Sequence, residues 1–379
     1  MNTVPRQIGD LTPTNPNRRQ GLLAVFHIDL PLLAGLLLLS GFGLIVLYSA
    51  SGQDLGQVWR QVVRLGVALL VMLGVAQINP IALRRWSPWI YGAGILMLFA
   101  VLAFGDVGKG AQRWLDLGVV RFQPSELVKL AVPLMIAWYL AEKRLPPGWR
   151  RLLIAAVMIV VPVLLIAKQP DLGTAVLVAS AGVFVLFLAG ISWRLIGGLA
   201  GALAAAAPVI WYLMRDYQRQ RVLTFLDPSQ DPLGAGYHII QSKIAIGSGG
   251  VYGKGWLNGT QSQLDFLPER HTDFIFAVLA EEFGLVGVIV LLCLYLFVIL
   301  RGLFIASQAQ DTFTRLLAGS LTLVFFVYLF VNAGMVSGLM PVVGVPLPLI
   351  SYGGTSLVTL MTGFGILMSI HTHRRLLPT

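Results

Sequence analysis

The sequence has a single cysteine, Cys293, among 379 residues. It lies inside an apolar run, so no intrachain disulfide can form, and the class of small secreted disulfide scaffolds is excluded. Charge is scarce as well. Asp, Glu, Lys and Arg make up 12% of the chain, against about 25% in an ordinary soluble domain, and no stretch is polar enough to stand as one. The five histidines are scattered. There is no HExxH, Walker loop, GxSxG elbow or Cys/His cluster, so the hydrolases and nucleotide-binding proteins built on those motifs are excluded. The glycine-rich "GSGGVYGKG" at 247–255 lacks the strand–turn–helix context of a phosphate loop. No repeat of 20–50 residues and no heptad pattern occurs, which removes solenoids and coiled coils.

What the chain does have is apolar length: 56% of its residues are hydrophobic. A membrane-spanning helix needs about 20 apolar residues. Ten such runs are expected, near 28–50, 61–79, 88–105, 124–142, 152–167, 172–190, 193–214, 273–300, 314–337 and 350–370. The fold expected is an all-α polytopic membrane protein. Residues 1–27 read as a disordered cytoplasmic tail and 28–379 as one transmembrane domain, with a large outer-side loop at 215–272 between the seventh and eighth helices. Lys and Arg in the short loops set the orientation. Arg18, Arg19, Arg84, Arg85, Lys143, Arg144, Arg150, Arg151, Arg194, Arg301, Arg315, Arg374 and Arg375 fall on one side of ten spans. That side is the cytoplasm, and both termini lie there.

The outer side is also basic. The loop 106–123 carries Lys109, Arg113 and Arg121, and the loop 215–272 carries Arg215, Arg219, Arg221, Lys243, Lys254 and Arg270. Long loops escape the orientation rule, so this pattern has a bland explanation. It equally suits an outer face that handles an anion, and the formal net charge of +10 suits an anionic membrane surface or an anionic substrate. Within the long loop, "YHIIQSKIAI" has apolar residues at helical spacing and reads as a short amphipathic helix lying along the interface.

Ionisable groups within or against a span cost roughly 2.5–3.5 kcal/mol on insertion scales and are functional candidates by default. Glu126 and Lys129 in "PSELVKLAVP" share a helix face at ion-pairing distance; they read either as a structural salt bridge or as the lining of a polar cavity where Lys129 meets a phosphate. Glu281 and Glu282 lie eight and nine residues beyond Asp273, roughly 12–14 Å deeper along a helix, and at least one must face a cavity or a basic partner. Asp171 in "KQPDLGT" reads as the N-cap of the sixth helix. Arg60 in "VWRQVVR", at the outer start of the second helix, snorkels to headgroups or reaches an outer cavity. In "LPERHTDFIF" at 267–276, Thr272 or Asp273 reads as an N-cap. A carboxylate at that boundary is also suited to base chemistry, because partial desolvation raises its pKa and a lipid-anchored substrate can present a hydroxyl there.

Several long stretches closely resemble the SEDS family (shape, elongation, division and sporulation): "SASGQDLG", "KGAQRWLDLGVVRFQPSELVKL", "QPDLGT", "LDPSQDPLGAGYHIIQSKIAIGSGG", "GTQSQLDFLPERHTDFIFAVLAEE", "VGVPLPLISYGG" and "SIHTHR". The resemblance covers nearly the whole chain after the tail, and "LPERHTDF" with "GTQSQL" points to its elongation branch. It implies a ten-helix polymerase that joins lipid II into glycan strands on the outer face of the inner membrane, working with a class B penicillin-binding protein that cross-links them. The family's essential aspartate falls on Asp273, and its polar positions in the second and fourth helices fall on Arg60, Glu126 and Lys129. Asp171, Lys243, Arg270 and Glu281 are the further candidates for substrate contact. Diphosphate is a good leaving group, so one base suffices, and charge developing on it calls for Arg, Lys or a divalent cation. No metal-ligand spacing is visible, which leaves a Mg²⁺ or Mn²⁺ requirement open. No nucleic-acid partner is expected. Two alternatives remain, a flippase for the lipid-linked precursor and a scaffold of the elongation machinery.

Overall fold

The computed structural model describes residues 27–373, except 109–110, 117–120, 143–144, 215, 232–233, 265 and 268. The tail 1–26 and the basic residues Lys109, Lys143, Arg144, Arg215, Arg374 and Arg375 lie outside the described residues. The chain runs through α1 (Leu30–Ala50), α2 (Leu55–Ala76), α3 (Pro80–Phe104), β1 (Asp106–Gly108), β2 (Ala111–Asp116), β3 (Arg121–Phe122), α4 (Pro124–Ala141), α5 (Trp149–Lys168), α6 (Leu172–Leu188) and α7 (Trp193–Leu213). It continues through α8 (Asp216–Leu226), α9 (Ala235–Gly249), α10 (Thr260–Gln263), α11 (Ile275–Ser307), α12 (Thr312–Val336) and α13 (Thr355–Thr372). Among the described residues eight helices, α1–α5 and α11–α13, are long and apolar enough to cross a membrane. The 17-residue apolar α6 and the 21-residue α7 occupy the places of the expected sixth and seventh spans. Among the described residues the strands are confined to the loop after α3, where three short ones form an antiparallel sheet in the order β1-β2-β3.

Helix starts follow the caps rather than the hydropathy. Asp29, Asp54, Asn79, Asp171 and Asp311 each accept from a first-turn N–H of α1, α2, α3, α6 and α12, satisfying donors that would otherwise be orphaned. This is why α2 begins at Leu55 and not at 61, which puts Arg60 in its second turn. For the same reason Arg84 and Arg85 lie within α3 instead of a loop. Arg301, expected near a cytoplasmic loop, is inside α11, and its Nη2 lies 2.6 Å from Asp29 Oδ2. The cap of α1 is thereby tied to α11.

The bundle has a centre and a periphery. Two-thirds of the membrane windows of α4 and α12 are buried, against 22% for α2 and α3. Leu38, Leu70 and Leu96 are among the apolar side chains left on the outside, where lipid replaces water. Lipid tails are as apolar as leucine, so helices associate through close packing and polar contacts instead of apolar burial. The helix α9, expected to be amphipathic, packs one face against α11 and leaves Lys243 and Ile244 exposed on the other. Ile239, Ser242 and Ala245 are buried, and Ser242 Oγ donates to Val336 O at 2.8 Å.

The expected span at 273–300 is not one helix. Gly284 has φ 61° and ψ −160°, which breaks α11 into two segments. A break at membrane depth must re-satisfy its backbone internally, since each orphan group costs several kcal/mol. The glycine-rich run does this. Lys254 N and Gly255 N donate to Glu281 O and Glu282 O at 3.0 Å, while Leu285 N and Val286 N donate to Gly250 O and Val251 O at 3.0 and 3.1 Å. The approach leaves no room for side chains: a Cβ on Gly284 would lie 2.3 Å from Gly253 N.

Candidate active site

Asp273 sits in the turn ahead of α11, half-buried. It is not a cap, and neither is Thr272. The cap position belongs to Phe274, with no side-chain capping bond, and Thr272 Oγ1 donates to Glu269 O and Glu269 Oε2 at 3.1 and 2.9 Å. The turn is held from the far end of the chain. Tyr352 N donates to His271 O at 2.8 Å, Ser351 Oγ to Thr272 O at 2.5 Å, and Asn332 Nδ2 to Asp273 O at 2.9 Å. Gly344, at φ +71°, passes beside the carboxylate; a Cβ there would be 3.5 Å from Asp273 Oδ2.

The segment that holds this turn leads into a groove. Gln61 on α2 bridges it, donating to Ser351 O at 3.4 Å and accepting from Gly353 N at 3.3 Å. Arg64, one turn further along α2, places its guanidinium 4.4 Å from the centre of the Tyr352 ring, and Tyr352 in turn meets His271 edge-on at 5.9 Å. Beyond Gly354 opens a cavity of about 450 Å³ between α2, α4 and α13, lined by apolar residues such as Val67, Leu127 and Val358 and by Arg64 and Glu126. Arg64 has no carboxylate partner among the described residues, and Val63 and Val67 on the groove wall are half-exposed to the lipid side.

The expected site residues divide into three sets. Glu126 and Lys129 form a buried ion pair at 2.7 Å, with Glu126 on the groove wall and Lys129 5.3 Å from the centre of the Tyr328 ring. Arg60 and Arg270 lie near the start of α2. Arg60 is exposed and 3.6 Å from Asp54. Arg270 donates to Ser262 O and reaches the turn at Gly52, just ahead of α2. The remaining three are engaged elsewhere. Asp171 caps α6 through Thr174 N at 3.2 Å and accepts from Gln123 at 3.1 Å, which fixes the start of α4. Lys243 is exposed and leans on Gly338, past the end of α12. Glu281 Oε1 is fully used by Lys254 Nζ, Thr260 Oγ1 and Gln261 N at 2.8, 3.0 and 3.0 Å. That is the basic partner this buried carboxylate demanded, supplied by the loop that plugs the α11 break. Glu282 takes its hydrogen bond from Ser49 on α1.

Four participants escaped the sequence reading: Gln61, Arg64, Asn332 and Ser351. Asn332 carried a usable signal, a lone amide in an otherwise apolar span, where polar side chains bind across helices. Near the turn, His238 stacks on Phe274 at 5.6 Å. Burial holds its imidazole below the usual histidine value, although Glu269 and Asp231 pull the other way.

These elements define a polytopic α-helical membrane protein that presents a carboxylate at the head of a membrane helix, joined by its backbone to a largely apolar groove. The chain belongs to the FtsW/RodA/SpoVE family, described as "Cell cycle protein", whose pattern matches residues 30–376. It is 60% identical to the peptidoglycan glycosyltransferase MrdB of Escherichia coli K12, over 96% of this chain and 98% of that one. It is 33% identical to the peptidoglycan glycosyltransferase RodA of Treponema pallidum, over 92% and 99%. Among solved structures it resembles a chain of a peptidoglycan synthase complex that coordinates polymerization and crosslinking, with TM-score 0.79, 37% identity and coverage of 90% and 97%. It also resembles the rod shape determining protein RodA of Thermus thermophilus, with TM-score 0.69, 31% identity and coverage of 90% and 96%.

Proposed function

We infer that this chain is a peptidoglycan glycosyltransferase of the inner membrane that polymerises lipid II on the periplasmic face, with Asp273 as general base. The observation that carries the reading is the joint between the Asp273 turn and the groove wall, where three consecutive backbone carbonyls bind Asn332, Ser351 and Tyr352 and the next residues open into an apolar channel with Arg64 on its wall. Lipid tails fit such a channel, and its polar groups meet the headgroup. Asp273 takes the proton from the 4-hydroxyl of the acceptor GlcNAc as that oxygen attacks the donor anomeric carbon. The bond to the diphosphate breaks, undecaprenyl diphosphate departs, and a β-1,4 link forms with inversion. Arg64, weakly hydrated and stacked on Tyr352, offers bidentate hydrogen bonds to the charge that develops on the leaving diphosphate. Among the described residues no group of three or more His, Cys, Asp or Glu is placed to hold a metal ion. A Mg²⁺ or Mn²⁺ ion would arrive here as a counter-ion on the diphosphate, where it would offset the charge of the leaving group. The partner in this reading is a class B penicillin-binding protein that cross-links the nascent strands.

The test is gel analysis of products from purified lipid II. Asp273→Asn keeps the shape but not the basicity, and is expected to lower the polymerisation rate by about 10²–10⁴-fold while the protein stays folded and able to bind its transpeptidase. Full-length glycan from that variant at the native rate ends the base assignment.

A further inference from the structure

Asn332 is fully buried in the outer half of α12, where an amide is expensive unless it is bonded. Both groups it meets are acceptors. Its Nδ2 donates to Asp273 O at 2.9 Å and to Val345 O at 2.7 Å, so only the nitrogen end of the amide fits there. The two hydrogens of one nitrogen thus tie the Asp273 turn to the irregular segment that carries Gly344 past the carboxylate. Ser351 makes a second double link. Its hydroxyl donates to Thr272 O at 2.5 Å and accepts from Leu347 N at 2.8 Å, and the side chain is buried. The peptide planes on both sides of the Asp273 Cα are thereby fixed by side chains from another part of the chain, and with them the direction of its Cα–Cβ bond.

We propose that Asn332 and Ser351 are positioning residues that aim the Asp273 carboxylate at the acceptor hydroxyl. The proposal rests on the base role of Asp273. Neither side chain hydrogen-bonds the carboxylate, so their effect passes through the backbone. A misplacement of about 1 Å at a reacting group lowers a rate by about 100-fold, and losing one of two anchors permits a shift of that order. The Ser351 hydroxyl bonds Thr272 O and Leu347 N and no groove side chain, so its loss is expected to change substrate binding less than turnover.

The experiment uses the full-length protein with purified lipid II and measures kcat, KM and the melting temperature. Ser351→Ala is expected to lower kcat by about 10–100-fold with KM changed less than about twofold, and Ser351→Thr, which keeps the hydroxyl, to recover most of the loss. Ser351→Cys, near in size with a weaker donor, is expected to fall between and covers the case in which the alanine variant does not fold. An unchanged kcat in the Ser351→Ala and Ser351→Cys variants overturns the proposal. A loss that appears only in KM, or one that Ser351→Thr does not restore, also overturns it. The Asp273→Asn arm tests the base role separately: native activity there removes the reading itself, whereas an inactive Asp273→Asn beside a fully active Ser351→Ala removes only the positioning claim.

Discussion

Lys254 and Glu281 are joined twice. The ammonium lies 2.8 Å from Glu281 Oε1, and the Lys254 N–H donates to the Glu281 carbonyl at 3.0 Å. The first bond neutralises a carboxylate with no exposed surface, and the second caps the first segment of a broken membrane helix. Removing one partner of a buried pair is destabilising by about 3–5 kcal/mol, because the other charge is left without compensation. Lys254→Met is therefore expected to lower the unfolding temperature in detergent far more than Glu281→Gln, which removes the charge together with the need for a partner. Equal losses for the two substitutions contradict this account.

The break itself makes a second prediction. Gly284→Ala places a Cβ 2.3 Å from Gly253 N at φ +61°, and Gly253→Ala places one 2.1 Å from Glu282 O at φ +78°. Positive φ alone costs an ordinary residue about 1–3 kcal/mol, and the backbone contact adds to it. Both variants should be recovered poorly from membranes or melt early. Gly66→Ala on α2, where nothing lies within 4 Å, should be indistinguishable from the native protein on size-exclusion and thermal melting.

The ion pair of Glu126 and Lys129 separates two roles. If Lys129 serves the diphosphate, Lys129→Ala loses more polymerisation than Glu126→Gln, with KM for lipid II rising. If the pair only braces α4, the two substitutions give equal losses, each with a lower melting temperature. Glu126 lies on the groove wall, whereas Lys129 is buried behind it. Lipid II titrations on both variants decide it.

His238 gives a pH dependence. Its pKa is lowered from 6.5 by burial against Phe274, so at and below pH 6.5 the unfolded chain binds more protons than the folded one. Stability then rises with pH across that window and falls as pH drops below 6.5. Thermal melts between pH 5 and 7.5 are expected to show that slope, and His238→Gln is expected to flatten it. An unchanged slope in the variant assigns the effect to another group.

An ionisable side chain in or beside a span is expensive enough to stand out, so Asp273, Glu126, Lys129 and Glu281 were visible as groups that needed an explanation, and the cap geometry of Asp171 followed from its place before "LGT". Two readings failed. The cap expected at Thr272 or Asp273 falls on Phe274, because the turn is held by Asn332, Ser351 and Tyr352 from distant parts of the chain. The 273–300 run, apolar but for Asp273, Glu281 and Glu282, looked continuous, because hydropathy does not register a glycine at positive φ or a loop that satisfies the freed backbone.

By itself the sequence determined that the chain lives in a membrane, how its helices are spaced, and which charges needed an explanation, since those follow from composition and local transfer energies. Only the tertiary structure decided which charges were already answered. Lys254 finds Glu281 across 27 residues and Ser351 finds Thr272 across 79, and such pairings exist only after distant segments have packed.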